Sequence, residues 1–292
     1  MIDQFLNYLR YEKNRSELTV KRYEDSLTDF QKYFERLEGG LTWASVDADV
    51  IRSWMESLME RGNIASTVNT GLSALKSFFR FALARGLVSR DPAHMVKGPK
   101  KRKPLPQFVK ESEINELLDR TEWSDTYKDV RARTIIIILY EAGLRRSELV
   151  GLDDKDVDLT AMQLKVTGKR NKQRVIPFGK ELAEQLSLYK TCRDEHIQKN
   201  SDAFFLGVRG DRITASEVYN TVRSCLSLVT TLKKKSPHVL RHSFATALLN
   251  HDAGLESVRQ LLGHESIETT EIYTHTTFEQ LKRVYNESHP RG

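Results

Sequence analysis

The 292-residue sequence predicts a mainly α protein of two domains, the second carrying a small antiparallel β-sheet. Three observations carry that reading. Apolar side chains recur at helical spacing through the first part of the chain. A basic, proline-bounded stretch follows, and beyond it one alternating hairpin interrupts a further run of helices.

The first predicted helix carries Phe5, Leu6 and Leu9. In the second, entered at Thr19 as candidate N-cap, Val20, Tyr23, Leu27, Phe30 and Phe34 step by three and four along one face. The third runs through Val50, Ile51, Trp54, Leu58 and Met59 to Gly62. The fourth begins near Ser66, carries Val68, Leu72, Leu75, Phe79 and Ala82, and stops at Gly86. Four such helices bury a core of their own, so residues 1–96 read as one domain, with the aromatic stripes as its packing.

Residues 97–108 read as a linker. Lys97, Lys100, Lys101, Arg102 and Lys103 place five cations in seven positions, while Pro99 and Pro104 push their predecessors out of the helical region. Such a stretch is a solvated tether or a strap along phosphates. Residues 109–292 form the second domain. Helices are predicted at 111–120, 130–141 (ending at Gly143), 147–151, 180–198, 215–229, 237–250, 255–262 and 278–286. Strands at 162–167 and 173–178 flank the turn Gly168-Lys-Arg-Asn-Lys172, and 203–206 is a further candidate strand.

Composition bounds the function without choosing it. With 39% hydrophobic and 29% charged residues, this is an ordinary folded protein. The longest apolar run, 135–140, is too short to span a bilayer, and no basic region followed by an apolar stretch marks a secretory leader. Cys192 and Cys225 lack metal-type spacing and read as reduced thiols in a cytoplasmic protein. Residues 1–105 hold 18 Lys and Arg against 13 Asp and Glu, a net of +5, leaving 28 against 27, a net of +1, for the rest. A pI near 9.1 suits a polyanionic partner but does not require one.

Four short segments hold the polar residues of interest. In Gly143-Leu-Arg-Arg-Ser-Glu-Leu149, Arg145 sits where one helix ends and another begins. Lys169 lies at the hairpin turn. His238 and Arg241, three apart at the start of a helix in Pro237-His-Val-Leu-Arg-His242, point to one side. Leu261-Leu-Gly-His264 precedes Tyr273 by a short interval. His238 and His242 invite a zinc reading, but Val239 stands where a metalloprotease motif has Glu and no third ligand is near, so no metal is expected. Each segment alone is unremarkable: a surface arginine, a solvated lysine, a capping histidine, a half-buried tyrosine.

Together, and in this order, they resemble the signature of the tyrosine recombinase (phage integrase) family, most closely its Xer subgroup. The stretches that carry the resemblance are 143–152, 236–246, 261–264 and Ile272-Tyr-Thr-His275, with a closing His289-Pro-Arg291. The resemblance spans essentially the whole chain. It implies an N-terminal four-helix, SAM-like core-binding domain and an α-rich catalytic domain of the DNA breaking-rejoining fold. It also implies six active-site positions, none of them replaced: Arg145, Lys169, His238, Arg241, His264 and Tyr273. Arg146 stands where relatives often carry an apolar residue.

The implied reaction suits these residue types. Tyr273 attacks the scissile phosphate to form a 3′-phosphotyrosine and release a 5′-hydroxyl, so rejoining needs neither ATP nor a metal, and no cofactor is expected. A free tyrosine, with a pKa of about 10, needs a base or nearby positive charge. Arg145 and Arg241 grip the non-bridging oxygens. Lys169 protonates the departing oxygen. His238 and His264 are interchangeable as proton acceptor or phosphate ligand, and Glu148 either orients a basic partner or is a plain surface carboxylate. The implied partners are a specific duplex DNA site, a homo- or heterotetramer with a related recombinase through a Holliday junction, and a DNA translocase, with no membrane. The implied place is the bacterial cytoplasm, on the nucleoid. Residues 277–292 are expected to dock onto a neighbouring protomer.

Within the same chemistry, the near-immediate start of the helical domain leaves no room for an arm-binding module. This favours resolution of chromosome or plasmid dimers over integration of a mobile element. A type IB topoisomerase shares the active-site logic, but this chain is short for one. A non-catalytic DNA-binding protein would not need Tyr273, and a metal-dependent nuclease would need a carboxylate cluster that the sequence lacks.

Overall fold

The computed structural model describes residues 1–37, 40–101, 107–168, 171–263 and 283–291. The chain divides into two compact units, Met1–Pro104 and Leu105–Gly292. Among the described residues no helix is long and apolar enough to cross a membrane.

The first unit contains α1 (Ile2–Asn7), continued by a π-helical turn over Tyr8–Glu12, then α2 (Glu17–Phe34), α3 (Ala48–Glu60) and α4 (Ala65–Ala84). Helix α2 starts earlier than its periodicity predicts. Ser16, in extended conformation, is the cap, and its hydroxyl accepts the Thr19 N–H at 3.4 Å. Asp47 caps α3 by accepting from the N–H groups of Asp49 and Val50. Trp54 is the keystone of this core. Its ring meets Phe30 edge-on at 5.2 Å, and a Cβ on Gly71 of α4 would lie 2.7 Å from Trp54 Cη2, so only glycine fits there. The indole N–H donates to Asp29 at 2.8 Å, and hydrogen bonding from Arg61 holds that carboxylate below its usual range. The stretch after α4 is not a free tether at its start. Val96 is buried, and Asn69 of α4 donates to the Pro99 carbonyl at 2.8 Å, while Lys97, Lys100 and Lys101 remain exposed.

The second unit is built around α6 (Tyr127–Glu141), preceded by α5 (Glu111–Asn115) and a π-helical turn over Glu116–Arg120. Residues 134–141 are all buried, so the second half of this helix, apolar but for Thr134 and Glu141, has neighbours on every face. It is followed by α7 (Arg146–Gly151), β1 (Val157–Asp158), β2 (Gln163–Thr167), β3 (Gln173–Pro177), α8 (Lys180–His196), α9 (Ala215–Val229), α10 (Pro237–Asn250) and α11 (Leu255–Leu262). The sheet is antiparallel in the order β1-β2-β3, with Leu164 opposite Ile176 and Val166 opposite Arg174.

One strand was missed from sequence and one strand expectation is corrected. β1 is only two residues long, too short to show alternation. Residues 203–206 make no strand but only the isolated bridges Asp153–Ala203 and Leu206–Arg212. Their backbone is satisfied elsewhere: Phe204 N–H donates to the Leu152 carbonyl and Leu206 N–H to the Tyr189 hydroxyl.

Of residues 277–292, expected to dock onto a neighbouring protomer, the described part packs within its own unit, and residues 277–282 and 292 lie outside the described residues. Residues 283–288 are helical, and Tyr285 is fully buried against Phe244 and Leu248 of α10 in the same unit. Arg291 pairs with Asp119 and Glu181. His289 is buried between Tyr140 and Tyr285, the latter ring stacked on it at 5.1 Å. Burial, above all, pulls its pKa down to about 3.

The unfolded chain takes up this proton near pH 6.5, whereas the folded one does not until far lower. The stabilisation is therefore complete above pH 6.5 and is lost as pH falls toward 3, at up to roughly 1.4 kcal/mol per pH unit. His289→Phe is expected to flatten the acid limb of stability measured by urea unfolding between pH 7 and pH 4. Glu141, held above the usual carboxylate range mainly by burial, is common to both proteins and cancels in the comparison. Equal slopes would show that His289 does not stay neutral.

Candidate active site

The site begins where α6 ends. Gly143 adopts a left-handed φ of +57°, and a Cβ there would lie 2.8 Å from Cε1 of Phe244, so both conformation and space demand glycine. The reversal buries Leu144 and leaves Arg145, in extended conformation, as the N-cap of α7. Gly143→Ala combines left-handed strain with overpacking, and is expected to cost about 2–5 kcal/mol. It would appear as a lowered thermal midpoint together with slowed chemistry, because the Gly143 carbonyl also accepts from Arg241 Nη1 at 2.6 Å.

Glu148, one turn into α7, is the hub. Its side chain is 1% exposed, which settles its role against a plain surface carboxylate. It accepts from the Arg145 backbone N–H at 2.8 Å and from Arg145 Nη1 at 2.7 Å. Arg174 of β3 donates through both Nη atoms, at 2.7 and 2.9 Å, and Arg241 Nη1 lies 3.9 Å away. Burial pushes the Glu148 carboxyl up, but hydrogen bonds and charge from Arg174, with Arg145 behind it, outweigh this and hold it below the usual range.

The same three arginines seize the end of α11. Arg174 Nε donates to the Leu261 carbonyl at 3.1 Å, Arg241 Nη2 to Leu262 at 2.5 Å, and Arg145 Nη2 to Gly263 at 2.8 Å. At a helix end the last carbonyls have no further turn to accept from and lie at the negative end of the dipole, so cations suit them. Gly263 ends the helix in a left-handed conformation with φ of +61°.

Three guanidinium groups against one carboxylate leave a local excess of two positive charges. Burial, and then the neighbouring Arg145, pull the Arg241 pKa down to about 10, so it stays charged at neutral pH but in surroundings that an anion would relieve.

His238 lies one turn before Arg241 on α10, whose first turn opens with Pro237. Burial lowers its pKa, and Lys234, Arg241, His242 and Arg146 add to the effect. A neutral imidazole at pH 7 can accept a proton. Val109 N–H donates to Ser243 on the same helix at 2.8 Å, pinning the start of the second unit to α10.

Of the positions expected from sequence, Arg145 and Arg241 are brought together over Glu148, with His238 one turn away on α10. Lys169, His264 and Tyr273 lie outside the described residues, as do Arg102 and Lys103. The foot of the hairpin turn is described. Gly168 N–H donates to the Lys172 carbonyl at 2.7 Å, and a Cβ on Gly168 would lie 3.4 Å from Glu148 Oε1 and 3.8 Å from Arg145 Nη1. The turn that carries Lys169 therefore springs from beside the arginines. Arg174 was missed from sequence. Its signal was an arginine at an inward position of an alternating strand, where an apolar residue is the rule.

Comparison with known proteins agrees along the whole chain. The sequence profile of the phage integrase family matches residues 107–280, and that of the phage integrase N-terminal SAM-like domain matches residues 2–86. The chain is 37% identical over 291 residues to the tyrosine recombinase XerC of Vibrio vulnificus, covering 100% of this chain and 91% of that protein. It is 33% identical over 294 residues to the tyrosine recombinase XerD of Oceanobacillus iheyensis, covering 100% and 98%. Among solved structures it is similar in fold to the XerH site-specific recombinase bound to its palindromic difH substrate. The TM-score is 0.73 at 23% identity, covering 97% of this chain and 83% of that one.

Proposed function

The chain belongs to the phage integrase family of tyrosine recombinases, and from that premise we propose how its residues carry out Xer-type site-specific recombination. It is a DNA strand-transferase, and DNA is its partner.

In our reading Arg145 and Arg241 bind the non-bridging oxygens of the scissile phosphate through the N–H groups that Glu148 and the backbone carbonyls leave unused. Their convergence from α7 and α10 on one buried carboxylate, with an excess of positive charge, is the observation that supports this assignment. Tyr273 attacks the phosphorus in line, its proton passing to His238, which burial keeps neutral. The 3′-side of the phosphodiester becomes esterified to tyrosine, and Lys169 supplies the proton to the departing 5′-oxygen. His264, directly after the helix end that the arginines hold, adds a hydrogen bond to the phosphate. Attack by the 5′-hydroxyl of a second strand reverses the step and returns the proton to Tyr273.

The exposed Lys97, Lys100 and Lys101, with Arg102 and Lys103, run along DNA phosphates. Four protomers, of this chain alone or with a related recombinase, assemble on two sites and exchange strands through a Holliday junction. They work in the cytoplasm on nucleoid DNA, with a translocase aligning the sites. The substrate is a chromosome or plasmid dimer; the XerC and XerD relatives, similar over 91% and 98% of their length, favour this over a mobile element.

Covalent trapping tests the reading. Cells expressing the protein are lysed in denaturant, the protein is recovered, and attached DNA is sequenced with its polarity. DNA joined through its 3′ end at one recurring sequence is expected. DNA joined through its 5′ end, or no adduct even on a nicked duplex that traps the intermediate, would overturn the assignment.

A further inference from the structure

Arg174 has no part in the roles assigned above, yet it is the most fully engaged of the three arginines at the site. The alternation of β3 turns it inward opposite Val166, and its side chain is 7% exposed. Both Nη atoms go to the two oxygens of Glu148, and Nε goes to the Leu261 carbonyl. A guanidinium has five N–H groups in a fixed plane; committing all three nitrogens in this way leaves it ill placed to grip a phosphate itself.

What it holds is informative. Glu148 is the group that Arg145 leans on, and Leu261 begins the row of carbonyls that Arg241 and Arg145 continue. Contact is tight: a Cβ on Gly263 would lie 3.0 Å from Arg174 Cδ and 3.1 Å from Nε. Without Arg174, the Glu148 carboxylate would be left buried with one close cation. It would then draw Arg145 and Arg241 toward itself, competing for N–H groups that a phosphate needs, and the end of α11 would lose one of its three anchors.

We infer that Arg174 is a positioning residue. By gripping both oxygens of Glu148 and the end of α11, it fixes the directions in which Arg145 and Arg241 present their remaining N–H groups to the scissile phosphate. The inference rests on the phosphate-gripping roles proposed for those two arginines. A purely structural ion pair would instead affect stability alone.

The two differ in pH dependence. Glu148 is faced by Arg145 from its own helix, by Arg174 from β3 and by Arg241 from α10. Replacing Arg174 removes the largest influence that holds its carboxyl down against burial. Cleavage by the variant should then fall as pH drops from 8 to 5.5 more steeply than cleavage by the wild type.

The test uses the full chain on a nicked duplex bearing the trapped site, measuring DNA affinity and the single-turnover rate of covalent adduct formation. Arg174→Gln is expected to bind within about threefold of wild type and to react about 100-fold more slowly, the scale of a misplaced catalytic group. Arg174→Lys should recover part of the rate, and Arg174→Gln with Glu148→Gln should be no slower than the slower single variant.

A rate per folded molecule within about threefold of wild type, or losses that multiply in the double variant, would overturn the inference while leaving the recombinase assignment intact. No adduct from the wild type would overturn both. If Arg174→Gln does not fold, Arg174→Lys carries the comparison. About a 10-fold loss with the steeper acid limb supports the inference, and an unchanged rate and profile overturn it.

Discussion

Tyr273→Phe is expected to bind its DNA site with near wild-type affinity and to yield no covalent adduct. The substitution removes one oxygen and leaves Arg145, His238 and Arg241 untouched, so the charges proposed to hold the phosphate remain. A phenyl ring cannot form an ester. The loss in single-turnover cleavage should be roughly 10⁴- to 10⁶-fold, as when other enzymes lose a nucleophile. Denaturing gel electrophoresis of end-labelled DNA reads this directly. An adduct of undiminished yield would move the nucleophile to another residue and end the assignment of Tyr273.

The second largest effect is expected at Arg241. Arg241→Ala should lower adduct formation by about 10²- to 10³-fold, corresponding to the roughly 3–4 kcal/mol lost when a preorganised donor to a developing anion is removed. Its effect on binding should be slight, since a duplex is held through many phosphates. Arg241→Lys is not expected to rescue. Arg241 spans the Gly143 and Leu262 carbonyls with separate Nη atoms and must still face the phosphate, which a single ammonium on a flexible stem cannot do. A lysine variant with wild-type rate would show that charge alone is needed there and that the forked geometry is incidental.

Both predictions rest on residues legible in the sequence, and the reason is local. Gly143 marks a helix end because few other residues tolerate its conformation, so Arg145 reads as the residue that opens the next helix. The His238 and Arg241 spacing reads as one helix face. α9, α10 and α11 begin and end where capping and periodicity place them. Less legible were features whose partners lie far along the chain. A local exception is the cap of α2, Ser16 instead of Thr19, a choice between two nearby hydroxyls. The backbone at 203–206 looked strand-like because it is apolar, yet it is buried among neighbours that satisfy its groups individually.

Legible from the sequence alone were the fold class, most of the helices, the hairpin, and the residue types that the proposed phosphoryl transfer needs. These follow from local rules of periodicity, capping and turn chemistry, and from the ordered motifs. What packing alone supplied is that Glu148 is buried under three guanidinium groups, that Arg174 joins Arg145 and Arg241 there, and that the successive carbonyls of Leu261, Leu262 and Gly263 are shared among those arginines. It also placed residues 283–291 on their own unit. The physical reason is the same in each case. A buried charge is tolerable only when its partners converge on it, and convergence from residues as far along the chain as Arg241 is from Glu148 depends on packing, which no local pattern records.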